Sequence, residues 1–162
     1  MNIFLHGLDS SSNGTKGSYF RTHFPDMLVP DFSGSLQERM VTLNSLLTGK
    51  KDVTLIGSSF GGLMAAIFAI EHSRQTRNLI LLAPALNFPD FDQYAAMTVT
   101  TPTLIYQGNK DDVTPLPIVK KRAQSVFSTL TFYEVDDDHF LRHTFPAIPW
   151  SILLTEKPEK LL

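Results

Sequence analysis

The stretch Val53-Thr54-Leu55-Ile56-Gly57-Ser58-Ser59-Phe60-Gly61-Gly62 constrains this chain more than any other. An apolar, β-branched run enters a glycine, then serines, a phenylalanine and more glycine, and small or apolar residues continue from Leu63 to Ile70. Val53 to Ile56 reads as a buried strand, and Leu63 to His72 as a helix whose Ala65, Ala66 and Ala69 allow close packing on a sheet. A strand must therefore become a helix within about two residues. So tight a turn puts Ser59 in a strained conformation with its hydroxyl exposed, and the glycines two before and two after it leave room for the backbone. The helix that follows aims its positive end at negative charge developing beside the serine.

A glycine-rich loop between strand and helix can also cradle phosphate. Here the glycines do not fit G-x-G-x-x-G and no Gly-Lys-Ser/Thr follows, so the nucleotide-binding patterns are not matched. Gly57-Ser58-Ser59-Phe60-Gly61 fits G-x-S-x-G instead. The 162 residues predict one domain with a genuine core, over 1–155, and a loose tail over 156–162. A net charge of -2 offers no attraction to a polyanion, so no nucleic-acid partner is expected. The absence of cysteine rules out disulfides and thiolate metal sites. No stretch is long enough to span a bilayer, and no basic segment precedes the first apolar run. The expectation is a cytoplasmic protein with no membrane insertion.

Strands and helices alternate along the chain. Strands are predicted over Asn2–His6, Met27–Val29, Val53–Ile56, Asn78–Ala83, Thr103–Tyr106 and Leu130–Val135. Helices are predicted over Ser18–Phe24, Ser35–Leu47, Leu63–His72, Pro117–Phe127 and Trp150–Leu154, with a short one within Asp90–Met97. This alternation predicts an α/β, three-layer fold with a mostly parallel six-stranded sheet and helices on both faces. In such sheets the functional groups gather beyond the C-terminal ends of the strands.

A serine hydroxyl is a poor nucleophile without a base in reach and an acid to orient that base. Beyond the fifth predicted strand lies Gln107-Gly108-Asn109-Lys110-Asp111-Asp112, and beyond the sixth Asp136-Asp137-Asp138-His139-Phe140. Asp112 competes with Asp111 as the acid, and Asp111 can instead serve as an Asx-turn residue. His139 is the candidate base, with His143 one helical turn on as its rival. His6 precedes the serine and reads as structural, and His23 and His72 as surface groups at helix ends. Lys120-Lys121-Arg122 reads as the solvated face of its helix. Consecutive acidic side chains diverge, so no metal site is expected at 136–138.

With these residues in place, the chain resembles the α/β-hydrolase superfamily. That family carries its serine on a G-x-S-x-G elbow, in the chain order Ser, Asp or Glu, then His. The resemblance implies Asp111 as the acid, because Asp111, Val113 and Pro115 match the family's layout after a glycine. It implies His139 as the base, preceding the aromatic Phe140. His6-Gly7-Leu8 matches the family's motif after the first strand, which implies that the Leu8 N–H, with that of Phe60, forms the oxyanion hole. With Ser10, Ser11 and Lys16, this opening is similar to the small, cap-less bacterial esterases of the YqiA type. The acidic run 136–138 departs from the glycine that many members carry there.

The resemblance implies a serine hydrolase acting on small carboxylic esters through an acyl-enzyme, with no cofactor and a small-molecule acyl ester as its partner. Pro84 to Pro102 is too short for the cap domain of many relatives. Leu86, Phe88, Phe91, Tyr94 and Met97 supply apolar atoms that either line the site or cover the sheet, and Leu86, Phe88 and Phe91 are the expected substrate contacts. Two rival readings stand beside this one: a thioesterase or amidase on the same residues, and a non-catalytic member that binds a ligand or protein. The oligomeric state is left open.

Overall fold

The structure, a computed structural model, describes residues 1–155; the expected tail at 156–162 lies outside the described residues. The chain runs β1 (Asn2–Leu5), α1 (Thr15–His23), α2 (Leu36–Leu47), β2 (Val53–Ser58), α3 (Phe60–Glu71), β3 (Thr76–Leu82), a 3-10 helix (Pro89–Tyr94), β4 (Thr103–Gly108), α4 (Leu116–Val126), β5 (Leu130–Val135), α5 (Thr144–Ala147) and α6 (Trp150–Thr155). The five strands form one sheet in the order β1-β2-β3-β4-β5, every pairing parallel.

The expected six strands are therefore five. Met27–Val29 does lie beside β1, but only Leu28 pairs, with its N–H on the Asn2 carbonyl (3.0 Å) and its own carbonyl receiving the Phe4 N–H (2.9 Å). Pro25 and Pro30 flank this segment, and neither has an N–H with which to extend the ladder. A short helix at Thr144–Ala147, between His139 and Trp150, was not expected from the sequence; proline interrupts its pattern.

Two apolar layers cover the sheet. On one face α2, α3 and α4 bury Leu43, Leu63, Phe68, Val119 and Val126 against Leu55, Leu79 and Ile105. On the other, Phe20, Phe145, Trp150 and Leu153 from α1, α5 and α6 cover Phe4, Ile56 and Ile80. Burial on this scale contributes roughly 1.5–3 kcal/mol per large side chain. The β2 and β3 sequences are almost continuously apolar because both their faces are covered. Helix α2 begins with a reciprocal capping box, in which Ser35 Oγ accepts the Glu38 N–H and the Glu38 carboxylate accepts the Ser35 N–H (2.7 Å). The β3–β4 connection holds only the 3-10 helix and no cap domain. No described helix is long and apolar enough to cross a membrane.

Candidate active site

The turn from β2 into α3 places Ser59 at φ 55°, ψ −116°. A side chain reaches positive φ only when its surroundings over-determine it. Here they do: the Ser59 N–H is held by the Leu82 carbonyl (3.0 Å), and the Ser59 carbonyl accepts the N–H groups of Gly62, Leu63 and Ala85. A Cβ at Gly61 would overlap the Leu5 carbonyl, and one at Gly57 the Gly61 carbonyl, so α3 starts pressed against the end of β1. This brings the loop after β1 to the serine: a Cβ on Gly7 would sit 3.5 Å from Ser59 Cβ.

His139, on the loop after β5, meets Ser59 from the other side. Its Nε2 lies 3.0 Å from Ser59 Oγ, and its Nδ1 2.8 Å from Asp111 Oδ2. The carboxylate only accepts, so Nδ1 carries the hydrogen and Nε2 is left to receive the serine proton. Asp111 is buried. Its Oδ1 accepts the N–H groups of Val113 (2.9 Å) and Thr114 (2.8 Å), while its Oδ2 accepts from His139, the Thr114 hydroxyl (2.7 Å) and Gln107 Nε2 (3.0 Å). One carboxylate thus builds a turn with one oxygen and faces the imidazole with the other. Burial works to raise its pKa, but the hydrogen bonds from His139 and Thr114 outweigh it and hold the carboxyl below the ordinary range.

The rivals stand elsewhere. Asp112 is exposed, whereas Oδ2 of Asp111 is the oxygen on the imidazole. His143 is exposed at the start of α5, and its backbone N–H binds Asp137. His6 is buried in the fold, its Nε2 accepting the Phe32 N–H (2.9 Å) while Nδ1 donates to the Gly7 carbonyl (2.7 Å). His23 is exposed and His72 caps the end of α3.

Phe60 is the first residue of α3, so its N–H has no acceptor within the helix. The Leu8 N–H finds no acceptor among the described residues. Both belong to segments packed on Ser59. Of the expected lining residues, Leu86 and Phe91 have no exposed surface: they belong to the core between α3, α4 and the 3-10 helix, and this corrects their assignment to the substrate. Apolar residues just past a strand can cover the sheet or face the site, and here the short connection tucks them inwards. Phe88 is half-buried, its ring 5.8 Å from that of Phe60.

Three residues given no role from the sequence shape the site. Gln107 and Thr114 hold Asp111. Asp137 holds the loop of His139: its Oδ1 accepts the Asp138 N–H (2.9 Å), and its Oδ2 those of His143 (3.0 Å) and Thr144 (2.8 Å). Burial pushes this carboxyl up, yet the hydrogen bonds from Thr144, Asp138 and His143 prevail and keep it low. A Cβ at Gly108 would overlap the Asp137 carbonyl, so the loops after β4 and β5 pass in contact. The only signal in the sequence was the acidic run in place of the family's glycine. Lys16 ties α1 to the same loop through the Phe140 carbonyl (2.7 Å).

Solved structures share this architecture. Alpha/beta hydrolase domain-containing protein 10 from mouse superposes with a TM-score of 0.77 at 17% identity, covering 93% of this chain and 87% of its own. Est1E from Butyrivibrio proteoclasticus, in its form with bound ferulic acid, gives 0.75 at 13% identity, covering 93% and 85%. Paleococcus ferrophilus monoacylglycerol lipase gives 0.69 at 16%, covering 89% and 90%. At these identities the likeness establishes the α/β-hydrolase fold and nothing finer. No curated protein matches the chain. Residues 1–98, which carry the loop after β1, the serine turn and the whole of β3, match the family described as "Uncharacterised protein family (UPF0227)", and the chain belongs to that family.

Proposed function

We propose that this chain is a serine hydrolase that cleaves small carboxylic esters through an acyl-enzyme, with Ser59 as nucleophile, His139 as base and Asp111 as the acid that orients it. The observation that carries this reading is the unbroken relay from Asp111 Oδ2 through the imidazole to Ser59 Oγ, at 2.8 and 3.0 Å, with the serine held at positive φ.

Ser59 Oγ attacks the ester carbonyl carbon as its proton passes to His139 Nε2. Asp111 stabilises the imidazolium that forms. The carbonyl oxygen, now an oxyanion, is held by the N–H groups of Leu8 and Phe60 at the positive end of α3. Collapse of this intermediate breaks the bond to the alcohol oxygen, which leaves with the proton from His139. Water then gives a proton to His139, attacks the acyl carbon, and frees the carboxylic acid and Ser59. Ester and water are consumed, and acid and alcohol are formed. An ester leaving group needs less exact protonation than an amine, and the short β3–β4 connection favours a small substrate. Leu8, Val113 and Phe140 are exposed and adjoin residues of the relay or oxyanion hole, so they replace Leu86 and Phe91 as the apolar contacts.

A fluorophosphonate probe followed by peptide mapping tests the nucleophile: label on Ser59 alone is expected, and label on Ser58 or on neither overturns the reading. A panel of p-nitrophenyl esters and acyl-thioesters then separates esterase from thioesterase activity.

A further inference from the structure

Arg39 is a cation placed where the fold gives it no reason to be. It stands in the first turn of α2, four residues after the Ser35 cap, at the helix end whose dipole disfavours positive charge. It is 4% exposed. Among the described residues its guanidinium meets no carboxylate at ion-pair distance. Nε donates to the Gly34 carbonyl (3.1 Å), one terminal nitrogen donates to the Leu8 carbonyl (3.3 Å), and the other, Nη1, is buried without a partner. Its central carbon lies 5.3 Å from the centre of the Phe60 ring. Among the described residues the acidic influence on it is Asp9, exposed on the loop after β1; burial works to lower the Arg39 pKa and the Asp9 charge to raise it.

A buried cation with an idle donor is a net burden on stability, and an apolar side chain of similar volume would pack better. Both groups it reaches outside its own helix region belong to the oxyanion hole. Leu8 and Phe60 are the residues whose N–H groups would hold the developing charge, and Arg39 grips the carbonyl of the first and the ring of the second. Pinning the Leu8 carbonyl restrains the peptide unit after Leu8 on an exposed loop, which narrows the conformations open to that residue and so the aim of its N–H. A fixed positive charge, itself buried beside these two residues, also favours an oxyanion over a neutral carbonyl.

Resting on the Ser59 reading, we propose that Arg39 is a positioning residue of the oxyanion hole, which orients Leu8 from behind and supplies standing positive charge to the intermediate without touching the substrate.

Fluorophosphonate labelling of the full chain tests this, because attack by Ser59 places a phosphonyl oxygen in the oxyanion hole. The inactivation rate constant and the probe's apparent affinity are measured separately, beside the melting temperature, for wild type, Arg39→Met and Arg39→Lys. Arg39→Met should melt at or above the wild-type temperature and react about tenfold more slowly, with apparent affinity changed less than threefold. Arg39→Lys keeps the charge but not the fork spanning Gly34 and Leu8, and should fall between. A purely structural role would lower the melting temperature and spare the rate constant. If Arg39→Met folds and labels within twofold of wild type, the proposal is overturned while the Ser59 reading stands. Should Arg39→Met not fold, Arg39→Lys decides, and an unchanged rate constant overturns the proposal. A wild type that takes no label overturns both readings.

Discussion

Thr114 donates a hydroxyl hydrogen bond to Asp111 Oδ2, 2.7 Å away, the same oxygen that faces His139 Nδ1. Thr114 is fully buried, and its backbone N–H binds the other carboxylate oxygen. The threonine therefore aims the carboxylate and shares its charge with the imidazole. Thr114→Val removes the hydroxyl at nearly constant volume. It should lower kcat about tenfold, equivalent to roughly 1.4 kcal/mol, as expected for one hydrogen bond to a charged group. KM should move little, and Thr114→Ser should restore most of the rate. Steady-state kinetics of the two variants on one ester make the comparison.

Asp111 and Asp112 differ by a single position, and the two substitutions should differ widely. Asp111→Asn should reduce kcat by about 10⁴, since the amide disfavours the tautomer that offers Nε2 to the serine. Asp112 is exposed and away from the imidazole, so Asp112→Asn should stay within about twofold. The histidines should divide likewise, with His139→Ala inactive at every pH and His143→Ala close to wild type. Activity in His139→Ala together with its loss in His143→Ala would falsify the proposed relay.

Acid should unfold the chain through two buried carboxylates. Asp111 and Asp137 both titrate below the ordinary range in the folded protein, so in acid the unfolded chain binds more protons. Their stabilisation is complete above the unfolded value, about pH 4, and drains away as pH falls through the lower folded values. Asp137→Asn should lose roughly 1–3 kcal/mol at neutral pH, because an amide cannot accept from three backbone N–H groups with both ends. It should also show a flatter loss of stability in acid. Urea midpoints from pH 3 to 7 for wild type and Asp137→Asn check both expectations.

Short acyl chains should be the better substrates. A methylene fully removed from water contributes about 0.8 kcal/mol. Leu86 and Phe91 are sealed in the core, and on the proposed reading the exposed Leu8, Val113 and Phe140 would cover only the first carbons. Across p-nitrophenyl esters from acetate to palmitate, kcat/KM should level off or fall beyond hexanoate. A climb through to palmitate would require a deep tunnel and would overturn this expectation.

What was legible in the sequence is what short-range pattern dictates. The elbow is a backbone problem with one solution, and the alternation of strand and helix sets the parallel sheet. Ser59, Asp111 and His139 each lie just past a predicted strand, in that chain order. What was not legible depends on which way a side chain turns. Leu86 and Phe91 have the same composition whether they cover a sheet or line a site. Gln107, Thr114 and Asp137 are polar residues in polar loops, and only packing shows that their atoms converge on Asp111 or on the loop of His139. Leu28 lies at the sheet edge, where proline on either side limits it to a bridge. That Arg39 is buried on α2 emerges only from the packing.

Because the strands lie side by side in the order they occur in the chain, the proposed chemistry also has a fixed schedule during synthesis. The elbow and the loop after β1 leave the ribosome first, and β2 can settle on β1 at once. His139 follows Ser59 by 80 residues. On the proposed reading, a nascent chain would display the Ser59 hydroxyl with no base beside it until β5 docks along β4 and brings the His139 imidazole into place.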